Sequence, residues 1–242
     1  MGGTADFSFG GSSTPADQAI ISGGNLVYVG IGVATPRSTA IIVRPDGGIG
    51  SVTDLAGKKV AVNKAGLGEF LLVAALEKYE VPKGDVEFIY LNPPEAGPAF
   101  AADQVDAWSI WQGPLEQAEV AQQAKAIFVD GQELDRQIDF VTYLVRDDYA
   151  KKEPETIRAV IAAYKAETDW ANQNLAEAQN IANQVAKYPQ AVVDRIVSKG
   201  VTTEWRLIDD AAIADLQWGA DWLTERQVLS DHIDIAKHAV KL

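Results

Sequence analysis

The alternation of apolar and polar positions divides the chain into two regimes. Residues 4–9 (Thr-Ala-Asp-Phe-Ser-Phe) alternate and run into Gly10-Gly11, which predicts a strand entering a loop. Ser12-Ser13-Thr14-Pro15 then reads as a helix start, with hydroxyl caps followed by proline in the first turn. That helix covers about 16–22 and stops at Gly23-Gly24. Strands are predicted over 26–31 and 39–44, the second closed by the turn Pro45-Asp46-Gly47-Gly48. From there strands at 60–63, 86–91, 106–111 and 126–129 alternate with helices at 67–79, 93–103 and 114–123. This rhythm argues for a parallel-rich α/β sheet. Residues 130–139 read as irregular and 140–145 as one more strand. After Asp147 the pattern is helical almost throughout, with helices from Pro154, over 175–187 and 189–199, and from Asp209 or Asp210 to Thr224. Asp147-Asp148 and Asp209-Asp210 read as helix caps.

Composition narrows what this scaffold can do. Apolar residues make up 47% and charged residues 23%, an ordinary balance for a soluble globular chain of 242 residues. No apolar run reaches the roughly 18 residues that span a bilayer. Met1–Asp6 lacks the basic and apolar regions of a signal peptide. A net charge of −13 argues against a nucleic-acid partner, which needs clustered Lys and Arg. There is no cysteine, which removes thiolate chemistry and Cys-ligated zinc. The only histidines are His232 and His238, near the end of the chain. No paired carboxylates, metal-ligand cluster or nucleophile–base pair stands out. Catalytic residues, a metal and a cofactor are therefore not expected.

Candidate chemistry lies where strands hand over to helices, since open α/β sheets bind ligands there and helix N-termini favour anions. The turn of Ser12, Ser13 and Thr14 offers backbone N–H groups and hydroxyls to a sulfonate, nitrate, phosphate or carboxylate; equally, it suits simple capping of a short helix. The turn Asn63-Lys64-Ala65-Gly66-Leu67-Gly68-Glu69 is neither a dinucleotide fingerprint nor a P-loop. Lys64 attracts an anion, whereas Glu69 repels one if it faces the ligand. Trp111 and Gln112, at the end of a strand, suit a pocket that grips an apolar tail and orients a polar group. Alternation places Trp108 and Trp111 on opposite faces, with Trp108 in the core.

Several segments, in order, resemble one family. Asp54–Val62 with its glycine-bearing turn and the helix through Leu71–Glu77, the run Val105–Trp111, the strand Leu26–Gly30, and Tyr143–Arg146 before a helix are similar to the extracytoplasmic solute-binding proteins for aliphatic sulfonates, taurine and nitrate. The resemblance implies a type II periplasmic-binding-protein fold: two α/β lobes joined by a hinge that closes on ligand. It places lobe I at 1–44 and 141–242 and lobe II at 45–140, with crossings near 44–47 and 139–141. The implied function is the substrate-binding component of an ABC importer, periplasmic and without catalysis, capturing a small organic anion and docking on membrane permease subunits. Carried over by position, the ligand-binding residues are Ser12, Ser13, Thr14, Lys64, Gly66, Leu67, Gly68, Trp111 and Gln112. The family's second turn is usually serine-rich, where this chain has Gly66-Leu67-Gly68; Gln112 stands where an aspartate is common. The alternative on the same fold is an enzyme of desulfinase or thiamine-pyrimidine-synthase type, or a homologue that no longer binds. The family's lobe I also begins with strands and helices that precede the match. The expectation is therefore an N-terminally truncated lobe I that either pairs with a second copy through its exposed surface or has reduced affinity and stability.

Overall fold

A computed structural model describes residues 5–242. Met1–Thr4 lie outside the described residues, and with them the expected strand start at Thr4. The elements run β1 (Phe7–Ser12), α1 (Ser13–Ile21), β2 (Leu26–Thr35), β3 (Ala40–Val43), β4 (Lys59–Val62), α2 (Leu67–Lys78), β5 (Glu87–Tyr90), α3 (Pro93–Ala101), β6 (Ala107–Ile110), α4 (Pro114–Gln122), β7 (Lys125–Val129), α5 (Asp130–Glu133), β8 (Val141–Arg146), α6 (Asp147–Lys152), α7 (Pro154–Gln173), α8 (Leu175–Ala186), α9 (Gln190–Ser198), β9 (Thr202–Leu207) and α10 (Asp210–Glu225).

The chain forms two units and changes unit after Ala34, Asp135, Asn174 and Val201. Unit 1 holds a four-stranded sheet in the order β1-β8-β2-β9, in which β8 runs antiparallel to both β1 and β2. Its apolar cluster joins Val27, Val29, Val145, Ile157, Ile161 and Trp205. Strand β1 bulges at Gly10, whose φ of 84° suits glycine, and the register shifts between Phe9 and Gly11. Unit 2 holds a five-stranded sheet in the order β5-β4-β6-β3-β7. Strands β5, β4 and β6 are parallel, whereas β3 runs antiparallel to β6 and β7. Its core centres on Phe100 and Trp108, 6.1 Å apart, with Ile42, Ile110 and Leu115 around them.

Local chemistry explains most boundaries. Helix α3 starts at Pro93-Pro94, and Glu95 Oε2 reaches back to accept from the Asn92 N–H at 3.1 Å. Asp209 caps α10 by accepting from the Ala212 N–H at 2.7 Å. Asp147 and Asp148 instead occupy the first turn of α6, where they favour the helix dipole.

Three expectations change. In place of a parallel-rich sheet, unit 1 has β8 antiparallel to β1 and β2, and unit 2 adds an antiparallel β3 to the parallel β5, β4 and β6. Strand β9 interrupts the helical stretch expected after Asp147, and its Trp205 is buried while Glu204 is exposed. The unit boundaries differ from the expected lobes 1–44 with 141–242 and 45–140. Residues 35–44 belong to unit 2 because β3 pairs with β6 and β7, and the Arg44 guanidinium donates to the carbonyls of Phe100 and Val105 at 2.8 Å each. Residues 175–201 also belong there: the Lys199 ammonium lies 2.6 Å from Glu116 on α4, whose side chain is fully buried.

Candidate functional site

In unit 1 the Ser12–Thr14 turn is where β1 hands over to α1. The N-terminus of α1 meets a carboxylate from the same chain. Asp139 Oδ1 accepts from Ser12 Oγ at 2.6 Å, Ser13 Oγ at 3.0 Å, Thr14 Oγ1 at 2.8 Å and the Thr14 N–H at 2.9 Å. The turn is locked to its neighbour by Ser13 N–H donating to the Phe140 carbonyl at 2.8 Å and Phe140 N–H donating to Ser13 Oγ at 3.2 Å. Ser13, Thr14 and Asp139 are buried. Burial pushes the Asp139 carboxyl above its usual range, against the opposing pull of the hydroxyl and backbone donors. The hydroxyls expected to face an external anion thus donate to an internal one. Redirecting them would strand a buried carboxylate at roughly 1–3 kcal/mol per lost partner.

A second buried acid lies one turn further along α1. Tyr28 Oη on β2 donates to Asp17 Oδ1 at 2.6 Å, and both residues are buried. Burial raises the Asp17 carboxyl to about 7; the Tyr28 hydrogen bond opposes the rise and Asp139 adds to it.

In unit 2 the parallel neighbours β4 and β6 end side by side, and their carboxyl ends carry the other candidates. The turn after β4 is closed by its own side chains. Asn63 Oδ1 accepts from the Gly68 N–H at 2.8 Å. Glu69 Oε2 accepts from the Ala65 N–H at 2.6 Å, and Tyr90 Oη donates to Glu69 Oε1 at 2.9 Å. Burial and then Glu69 push the Tyr90 hydroxyl up to about 12. The glycines answer to this packing: a Cβ on Gly66 would fall 1.8 Å from Asn63 Nδ2, and one on Gly68 2.6 Å from the Ser109 carbonyl. Serine does not fit this turn without moving Asn63. Leu67 is half-buried, and the exposed Lys64 carries its ammonium 5.6 Å from the Tyr90 ring centre.

Strand β6 ends at Ile110, so the alternation expected to send Trp108 and Trp111 to opposite faces stops before Trp111. Trp108 is in the core, as expected. Trp111 is half-buried and packs against the same core cluster. Gln112 lines a cavity of about 240 Å3 with Asn183, Tyr188, Val193 and Ile196. Among the described residues no group of His, Asp and Glu side chains could hold a metal.

Sequence reasoning passed over Asp139, Asp17 and Asn63. A signal existed for the first: Asp139 is a lone acid between the apolar Ile138 and Phe140, and burying that segment buries an acid that needs donors. Asp17 lies three residues after Thr14 and three before Ile20, on the helix face that is buried.

Two α/β units that share the chain in several segments define the class: this is the periplasmic-binding-protein fold. Residues 2–178 match the family model described as NMT1/THI5 like, and the chain belongs to that family. It is 30% identical over 223 residues to the putative aliphatic sulfonates-binding protein of Escherichia coli (strain K12), covering 91% of this chain and 68% of that one. It superposes on the alkanesulfonate-binding protein SsuA from Xanthomonas axonopodis pv. citri, solved bound to MOPS, with a TM-score of 0.90 and 26% identity over 99% of this chain and 82% of that one. The desulfurization enzyme DSZB shares the fold at a TM-score of 0.72 and 18% identity, over 97% of this chain and 82% of that one.

Proposed function

We propose that this chain is the ligand-capturing component of an ABC importer, working in the periplasm and binding a small organic anion of the sulfonate class without converting it. The observation that carries this reading is the superposition on a sulfonate-binding protein over 99% of the chain at 26% identity. The absence of cysteine and the placing of both histidines near the C-terminus favour binding over the catalysis of the desulfurization enzyme.

The site residues divide by role. In unit 2, Lys64 supplies the cation, the backbone of Gly66, Leu67 and Gly68 the approach to it, and Trp111 with Gln112 the apolar and amide contacts. In unit 1, Ser12, Ser13 and Thr14 act mainly through Asp139, holding the α1 N-terminus in place. The edge strand β1 supports a subsidiary part of the reading, pairing with a second copy. Light scattering that gives a monomer at every concentration sinks that part.

Calorimetry and thermal shift against MOPS, taurine and nitrate, with mass spectrometry of the recovered ligand, test the main reading. The expected result is saturable binding of a sulfonate recovered unchanged. At a hundredfold excess over Kd it stabilises the chain by about 2.7 kcal/mol. Binding by none of the three, or turnover of the bound one, overturns it.

A further inference from the structure

We propose that unit 1 carries a second ligand site, a slot between α7 and β9 that takes a small amphipathic organic anion. Arg158, Ile161, Ala162 and Lys165 follow the spacing that puts residues on one helix face, so an apolar centre is bracketed by two cations roughly 10 Å apart along the axis. Trp205 and Leu207 share one face of β9 and form the opposite wall. With Leu242 these residues enclose about 290 Å3. That is the small end of the range for ligand pockets, which favours a body of a few carbons.

Two observations point to a ligand independently of the cavity. The first is a buried donor without a partner: Trp205 is 9% exposed, and its Nε1–H is buried with no hydrogen-bond acceptor. An unpaired buried donor is costly, and a small shift of the indole would bring it within reach of an acceptor atom on a bound molecule. The second is charge. In a chain of net charge −13, this slot is lined by two cationic side chains against one anion, the terminal carboxylate of Leu242. Arg158 pairs with Glu155, and Lys165 pairs with Asp169 at 2.6 Å. All four side chains are about half-exposed or more, so these pairs are weak and both cations can turn to an incoming anion.

The slot is also preformed. A Cβ on Gly30 of β2 would fall 2.5 Å from Trp205 Cζ2, so the indole lies directly on glycine backbone. The Tyr143 ring meets it edge-on at 5.7 Å. With the indole held this way, the ligand does not have to order its own wall. None of these residues belongs to the turns invoked for sulfonate capture, so the two readings stand or fall separately.

The test uses hexanoate as the anionic probe and hexanol as its neutral counterpart, read by the six indole N–H resonances in a 15N spectrum. Trp205→Phe assigns the Trp205 resonance. Hexanoate is expected to move that resonance saturably, and hexanol to bind roughly tenfold more weakly. The double variant R158Q/K165Q is expected to weaken hexanoate by about tenfold while its melting temperature and its calorimetric response to MOPS stay those of the parent. A Trp205 resonance that hexanoate does not move, or equal affinity in the double variant, overturns the proposal. MOPS binding by the parent with a Trp205 resonance that hexanoate leaves static removes this site and leaves the sulfonate reading; the converse result does the opposite.

Discussion

Asp17 makes the chain's stability depend on pH in an unusual direction. Its carboxyl is raised from 3.8 to about 7, chiefly by burial. A carboxyl raised in the folded state favours the protonated native form. Its stabilising contribution is therefore fully present below the unfolded value near 4 and is lost as pH rises towards and through about 7. Linkage between those two values gives a loss of about 3 kcal/mol from pH 5 to pH 8. Asp17→Asn removes the titration while keeping an Oδ1 that accepts from Tyr28. The added amide N–H2 also needs partners, so the absolute stability of the variant carries an offset that is the same at both pH values. The pH dependence is the clean quantity. Urea unfolding of parent and variant at pH 5 and pH 8 should show the parent losing about 3 kcal/mol more than the variant over that interval. Identical pH dependence in the two proteins would refute the reasoning, because it would mean that Asp17 titrates alike folded and unfolded.

The other perturbations follow from single contacts. Asp139→Ala strips the shared acceptor from Ser12, Ser13 and Thr14 and should cost about 2–4 kcal/mol in denaturant unfolding, with loss of amide protection in α1. Gly66→Ser forces a Cβ into Asn63 Nδ2 at 1.8 Å. It should lower the melting temperature without improving sulfonate affinity, and Asn63→Ala in the same chain should recover part of the loss. Lys199→Met leaves the buried Glu116 carboxylate without the ammonium at 2.6 Å and should cost roughly 3–5 kcal/mol in urea unfolding at neutral pH.

The strand-and-helix rhythm through residue 129 was legible because strand alternation and helical spacing, Pro-rich helix starts and glycine stops agreed there. The pairing of strands was not. The tetrapeptide Ala40–Val43 is apolar at every position, which fits either orientation, and only its partners β6 and β7 make it antiparallel. The same limit applies to residues 175–198, which group with unit 2: an amphipathic helix declares that it has an inner face, not what covers it. The candidate turns were found for a sound reason, since helix N-termini at strand ends do attract anions. What sequence spacing could not convey is that each turn already holds one. Asp139 lies more than a hundred residues from Ser12, and Glu69 folds back on its own first turn through Ala65. Each carboxylate accepts from donors of the turn beside it. The glycines at 66 and 68, read as lost hydroxyls, are instead the room that Asn63 and Ser109 need. On the proposed reading, an anion draws on Lys64 more than on hydroxyls already engaged by Asp139, so the apolar body of the ligand carries a larger share of the affinity.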